Sequence, residues 1–238
     1  MGGYKLKEDI GLIIKEMKDF ILEAEMKKFK TNEEHKKYLD KIFNKISENE
    51  EYIKISRLRM KPIRYFYEEF VPLVDYVNIK YKKENDILWR WSGSETPEFG
   101  LMYDGIIKKG NNIVEKVEVT CPLHCREDFI SGKSLNETGI YCYETVYVDD
   151  YENDCKQKLL DDVIKKNNKS TYDNSVTLLV VFDDYHFLPS NKLKDVQFID
   201  SIFKELRKIN YIFKNVYILM DKYDGSNLKY DSYLIQIK

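Results

Sequence analysis

The sequence predicts an α/β protein built on a mixed sheet, with a helical extension at its N-terminus. Three observations carry that expectation. Apolar residues recur every three or four positions through the N-terminal third, the period of helices buried on one side. Two alternating runs flank Lys109-Gly110-Asn111-Asn112, which is the pattern of a β-hairpin. Val176–Phe182 (VTLLVVF) is apolar without a break, the mark of a strand covered on both faces.

Taken in order, Leu6, Ile10, Ile13, Met17, Phe20 and Ala24 form one stripe, which predicts a single long helix over residues 4–30. Thr31-Asn32-Glu33-Glu34 reads as a capping box that opens a second helix, with Leu39, Ile42 and Ile46 as its stripe. These two helices are expected to form an antiparallel hairpin. Ser47-Glu48-Asn49-Glu50 repeats the signature and opens a third helix, whose apolar side holds Ile63, Phe66, Tyr67, Phe70 and Val74. Glu69 falls at the edge of that side, and Pro72, which lacks an amide hydrogen, should kink or restart the helix. Ile79–Trp91 reads as a strand and Gly93–Pro97 as a loop. The hairpin follows, and Pro122–Val148, which has no clear period, reads as a long irregular connection. Asp149-Asp150-Tyr151-Glu152 is another capping box; it opens a helix that runs to about Asn167, with Cys155, Leu159 and Val163 buried. After Val176–Phe182 come a helix over Asp195–Ile209, a buried strand at Val216–Met220, a turn at Asp224-Gly225-Ser226-Asn227 and a last strand at Ser232–Ile237. The helical crossover between Thr120 and Val176 should join parallel strands.

Composition narrows the function. At 238 residues with 43% hydrophobic content the chain can bury a substantial core, and a net charge of −2 excludes a general polycation. No apolar run approaches the roughly 20 residues that span a bilayer. Glu8 and Asp9 interrupt any signal-peptide pattern, so a cytoplasmic protein with reduced Cys121, Cys125, Cys142 and Cys155 is expected. Charge is nevertheless uneven. Lys54, Arg57, Arg59, Lys61 and Arg64 fall within Ile53–Phe66 with no acid among them, a candidate contact for a phosphate backbone or else a solvated helix face.

Chemistry concentrates in the hairpin. Strand alternation puts Met102, Asp104 and Ile106 on one face, and Lys116, Glu118 and Thr120 on one face of the next strand. A three-residue loop of Gly110, Asn111 and Asn112 would set Asp104 directly across from Glu118. Facing carboxylates repel, and a divalent metal between them resolves the repulsion, although Lys108 and Lys116 could also neutralise them.

With helix, hairpin, helix and buried strand in this order, the chain resembles the restriction-endonuclease-like nucleases of the PD-(D/E)xK superfamily. The resemblance runs from about Ile55 to the C-terminus. Tyr103-Asp104-Gly105 stands where that family has Pro-Asp-Gly, and Glu118-Val119-Thr120 where it has Glu-x-Lys. It implies a helical hairpin extension over residues 1–50 and a nuclease domain over 51–238. It further implies a DNA-cleaving hydrolase that uses Mg²⁺ or Mn²⁺, held by Asp104, Glu118 and the Val119 carbonyl, with Glu69 contributed by the preceding helix. Thr120 replaces the motif lysine. Lys156, on the helix after the second motif strand, is the candidate to supply the missing cation, with Lys116 as the runner-up.

Other readings stay open. Cys121, His124, Cys125 and Cys142 include soft zinc ligands but lack a second close pair. His124 and His186 read as loop and strand-end residues, and Glu152 as a capping acid. Loss of the motif lysine leaves room for an inactive nuclease fold that binds nucleic acid or protein. The N-terminal helices alone could serve a second copy of the chain or a partner protein.

Overall fold

One six-stranded sheet, in the order β1-β2-β3-β4-β5-β6, organises the protein. Its strands are β1 (Ile87–Trp91), β2 (Gly105–Lys109), β3 (Asn112–Thr120), β4 (Val176–Asp183), β5 (Asn215–Asp224) and β6 (Lys229–Gln236). The computed structural model describes residues 3–58, 63–93, 103–122, 126–139, 148–183, 192–224 and 229–238. β1, β2 and β3 form an antiparallel meander, β3, β4 and β5 are parallel, and β6 returns antiparallel. The sheet is therefore mixed, and β3 and β4 are parallel across their long helical connection, as the order of elements predicts.

Helices cover both faces. Leu178, Val180 and Phe182 of β4 are buried with Leu159 and Val163 of α8 (Val148–Asn167) and with Ile202, Phe203 and Leu206 of α9 (Lys192–Lys208). Leu179 and Val181 point the other way, into a cluster with Phe66, Phe70, Leu73 and Val77. That is why VTLLVVF shows no alternation: both pleats of the strand meet apolar side chains. Each such burial contributes about 1.5–3 kcal/mol.

The N-terminal helices pack into the second of these clusters. They are α1 (Gly3–Phe20), α2 (Glu23–Met26), α3 (Asn32–Ser47) and α4 (Glu50–Arg57). Met17, Ile42, Ile46 and Ile55 lie in the cluster that also holds Trp89 and Trp91 of β1. The single helix expected over residues 4–30 is broken. α1 stops at Phe20, and Leu22 is extended (φ −82°, ψ 106°) with its amide donating to Tyr38 Oη at 2.8 Å. Lys30 then pairs with Trp89 at the sheet edge, so tertiary contacts override the stripe. The capping box at Thr31 is present: Thr31 Oγ1 accepts from the Glu34 amide, and Glu34 accepts from the Thr31 amide. The next cap is Asn49 rather than Ser47, with the Asn49 side chain accepting from the Glu51 amide at 2.9 Å.

Further along, α5 (Ile63–Tyr65) leads through one π-helical turn (Phe66–Phe70) into α6 (Val71–Lys80). The restart expected near Pro72 is there. Ile79–Trp91 is not one strand, because α6 continues to Lys80 and β1 begins at Ile87. Lys80 Nζ lies 2.6 Å from Glu115 of β3, which anchors that last helical turn. Nor is Pro122–Val148 irregular throughout, since it contains α7 (Arg126–Thr138). Gly132, which reads as a loop former, is a packing residue: a Cβ there would sit 2.6 Å from the Arg57 carbonyl oxygen of α4. Asn136 Nδ2 also donates to the Lys54 carbonyl, at 2.8 Å. Docking on α4, rather than an apolar stripe, makes α7 a helix. The turn at Asp224-Gly225-Ser226-Asn227 lies mostly outside the described residues. Among the described residues no helix is long and apolar enough to cross a membrane.

Candidate functional site

The hairpin register decides whether the two acids meet. Lys109 pairs with Asn112, so the turn holds two residues, Gly110 (φ +58°) and Asn111, and not the expected three. Taken alone, this would slip the strands by one residue and put Asp104 out of step with Glu118. A bulge between Ile107 and Lys108 restores the register, and Gly105 faces Val117. The Asp104 amide donates to the Val117 carbonyl at 2.8 Å, which holds Asp104 beside Glu118. Gly105 is required next to it, because a Cβ there would lie 2.8 Å from Leu73.

Both acids are buried, each 4% exposed. Asp104 Oδ2 accepts the Val119 amide at 2.8 Å. Among the described residues Glu118 Oε1 accepts from Tyr172 Oη at 2.6 Å and from Lys166 Nζ. Glu69 completes the group from the π-helical turn, a local widening frequent at functional sites. Its Oε2 accepts from Trp91 Nε1 at 2.9 Å, and its charge acts on Asp104. Pro72 has no N–H for the Glu68 carbonyl four residues back, and Cys121 Sγ lies 3.1 Å from that oxygen.

Electrostatics follow from this crowding. Burial raises Asp104 well above the usual carboxylate range, reinforced by the charges of Glu118 and Glu69. Burial likewise raises Glu69 to about 7, with the Trp91 hydrogen bond opposing and the Glu118 charge adding to the rise. Crowding of like charges in a buried site thus favours the neutral forms of Glu69 and Asp104. Burial works against the Lys166 ammonium, yet the charges of Glu118 and Asp104 outweigh it and its pKa is raised. Lys166 is a cation held among anions.

Lys166, not Lys156, supplies that cation. Lys156 Nζ lies 3.1 Å from Ser201 Oγ of α9, away from the hairpin. Both lysines are on α8, but Leu159, Val163 and Lys166 follow the i, i+4, i+7 stripe that faces the sheet. Lys166 is about 20° from Leu159 on the wheel and Lys156 about 60°. A lysine at a position where the stripe calls for an apolar residue was the available signal. Tyr172, in the α8–β4 connection, carried no such signal. The runner-up Lys116 sits over the Tyr103 ring, 5.3 Å from its centroid.

Next to the acids is a cleft of about 480 Å³, lined by Glu69, Val119, Thr120 and Lys166 but not by the buried Asp104 and Glu118. Thr120 offers it a hydroxyl but no charge. The basic run of α4 and α5 is largely engaged elsewhere. Lys54 pairs with Glu50 (3.0 Å) and Glu51 (2.9 Å), and Arg57 bonds Asn136 at 3.2 Å. Arg64 pairs with Glu68 at 2.8 Å, although it does line the cleft. Arg59 and Lys61 lie outside the described residues, as do His124, Cys125, Cys142, His186 and the side chains of Glu152 and Cys155.

Glu69, Asp104 and Glu118 present hard oxygen donors only, the kind Mg²⁺ and Mn²⁺ prefer. Fully ionised they carry three negative charges against the single positive charge of Lys166, a surplus that a divalent cation would cancel. Among the described residues no three acid, histidine or cysteine side chains are already arranged to hold an ion. Hydrogen bonds to Trp91, Lys166, Tyr172 and the Val119 amide hold the acids in their present positions. The donor chemistry and charge fit a divalent cation. No family model, curated protein or solved structure matches this chain.

Proposed function

We propose that the protein is a divalent-metal-dependent nuclease with a restriction-endonuclease-like core that hydrolyses phosphodiester bonds of DNA. The observation that carries this reading is the clustering of Glu69, Asp104, Glu118 and Lys166, with Glu69 and Lys166 lining the cleft beside the two buried acids. Glu69 comes from the π-helical turn before α6, the acid pair from the hairpin, and Lys166 from α8, the second helix after it. Asp104 and Glu118, with the Val119 carbonyl and Glu69 beside them, would hold Mg²⁺ or Mn²⁺. When bound, such an ion lowers the pKa of a coordinated water and neutralises charge on the phosphoryl oxygens.

The chain's own groups supply the rest. The Val119 amide and the register across Gly105 fix Asp104, and Tyr172 and Lys166 fix Glu118 through a single oxygen. Lys166 brings to the cleft floor the positive charge that Thr120 lacks. From there it can orient a water and offset negative charge that develops on the phosphate. Its presence favours an active enzyme over a nuclease fold that only binds. A divalent cation bound beside Glu69 would favour its ionised form over the neutral one that burial favours.

The test is cleavage of plasmid and of single- and double-stranded oligonucleotides with Mg²⁺ or Mn²⁺, comparing wild type with Asp104→Asn. Metal-dependent cleavage lost in the variant supports the proposal. A wild-type protein that binds these substrates but cuts none of them assigns the chain to the inactive class.

A further inference from the structure

The cleft has two unlike walls. On one, Arg64 is already paired with Glu68. On the other, Lys158, Asp162 and Lys165 are spaced i, i+4, i+7 along α8, and Lys169 follows just past the helix end, so all four line the cleft. Among the described residues Lys165 and Lys169 form no ion pair, and both are exposed. Lys169 also stands 6.0 Å from the ring of Tyr172, the residue whose hydroxyl holds Glu118. Whatever Asp162 offsets, exposed Lys165 and Lys169 keep the wall positive.

We infer that Lys158, Lys165 and Lys169 form the track along which the phosphodiester backbone of the nucleic-acid substrate lies. This inference rests on the reading of the cleft as a nuclease site and names the wall that holds its substrate. The helical rise puts Lys158 and Lys165 roughly 10 Å apart along the axis. A nucleic-acid strand passes about three phosphates in that length. The row runs beside Lys166 and the carboxylates, so a backbone seated on it passes over Thr120 and the acid pair. It takes the role that the charge run at Lys54–Arg64 suggests in the sequence, because Lys54 and Arg64 of that run are paired with acids and Arg57 is engaged by Asn136.

The experiment measures binding of fluorescein-labelled single- and double-stranded 20-mers to the full chain in EDTA, across a salt series. Wild type is compared with the triple variant Lys158→Gln/Lys165→Gln/Lys169→Gln. A charge-matched control carries Lys37→Gln/Lys41→Gln/Lys83→Gln, far along the chain from α8. Far-UV circular dichroism verifies folding, which these exposed or half-exposed positions should not disturb. The α8 triple is expected to bind at least about tenfold more weakly, with the slope of log K against log salt reduced by about two to three units. The control should match wild type. Equal loss in both variants, an unchanged slope in the α8 triple, or no binding by wild type overturns the inference. Because EDTA removes divalent ions, the outcome is independent of cleavage. Lysine-dependent binding without any nuclease activity would leave the track standing and remove the catalytic reading. Cleavage by wild type with binding unaltered in the α8 triple would do the reverse.

Discussion

Glu69→Gln should make the ion-free protein more stable and the site unable to hold its cation. The folded protein keeps Glu69 protonated up to about pH 7, against an ordinary value of 4.5. An acid whose pKa is raised on folding favours the folded state only while protonated, so its cost begins as pH rises through 4.5 and is complete above 7. At 1.36 kcal/mol per unit, the penalty is about 1 kcal/mol at pH 5 and about 3 kcal/mol at pH 8. Glutamine keeps an oxygen to accept from Trp91 Nε1 and carries no charge toward Glu118 and Asp104. Urea unfolding in EDTA should therefore show the variant more stable by about 3 kcal/mol at pH 8 and by about 1 kcal/mol at pH 5. For a chain of this size the larger gain is a rise of about 6–12 °C in Tm. Adding Mg²⁺ should narrow the gap at pH 8, because the wild type alone gains from binding. A variant no more stable than wild type at pH 8, or equally stabilised at both pH values, would refute the like-charge account of the site.

Three further outcomes are expected. Lys166→Met should abolish turnover and cost about 3 kcal/mol by leaving buried Glu118 unpaired, whereas Lys156→Met should change either within about 0.5 kcal/mol or its equivalent in rate; metal-dependent cleavage rates and urea midpoints measure both. His35 is fully buried, donates from Nε2 to the Trp89 carbonyl at 2.9 Å and is pushed down by burial to about 4. Its folded pKa is depressed, so stability should be full above pH 6.5 and fall by about 3 kcal/mol as pH drops to 4; an NMR titration should find its ring neutral at pH 5. Gly132→Ala should strain the contact of α7 with the Arg57 carbonyl and cost about 1–3 kcal/mol, read as a lower urea midpoint.

The acid pair was legible because strand parity and an obvious turn cluster survive modest errors. The expected loop was one residue too long, and the bulge at Ile107/Lys108 compensated for it, so Asp104 still meets Glu118. A bulge leaves no local signal in IIKKGNNIVEK, since it is set by packing on either side of the strand. Lys166 was legible in principle: the stripe that identified Leu159 and Val163 passes through it. Lys156 also falls within reach of that face, about 60° from Leu159, but the site is built at the helix's other end, next to the β3 residues that pair with early β4. α7 left no periodic trace, since it is held by a glycine contact and by the Asn136 bond to α4. Glu69 sits at the edge of an apolar side, and a π-helical turn beside Pro72 brings it inward where an ordinary helical wheel would leave it at the boundary.

The central claim is that Asp104 and Glu118 hold a divalent cation. Anomalous diffraction from crystals grown with Mn²⁺ tests this most directly, with the Asp104→Asn protein grown the same way as the comparison. The account predicts a manganese peak bonded to carboxylate oxygens of both Asp104 and Glu118, and its loss in the variant. A wild-type map with no peak at these acids, or with manganese bound only elsewhere, would contradict it.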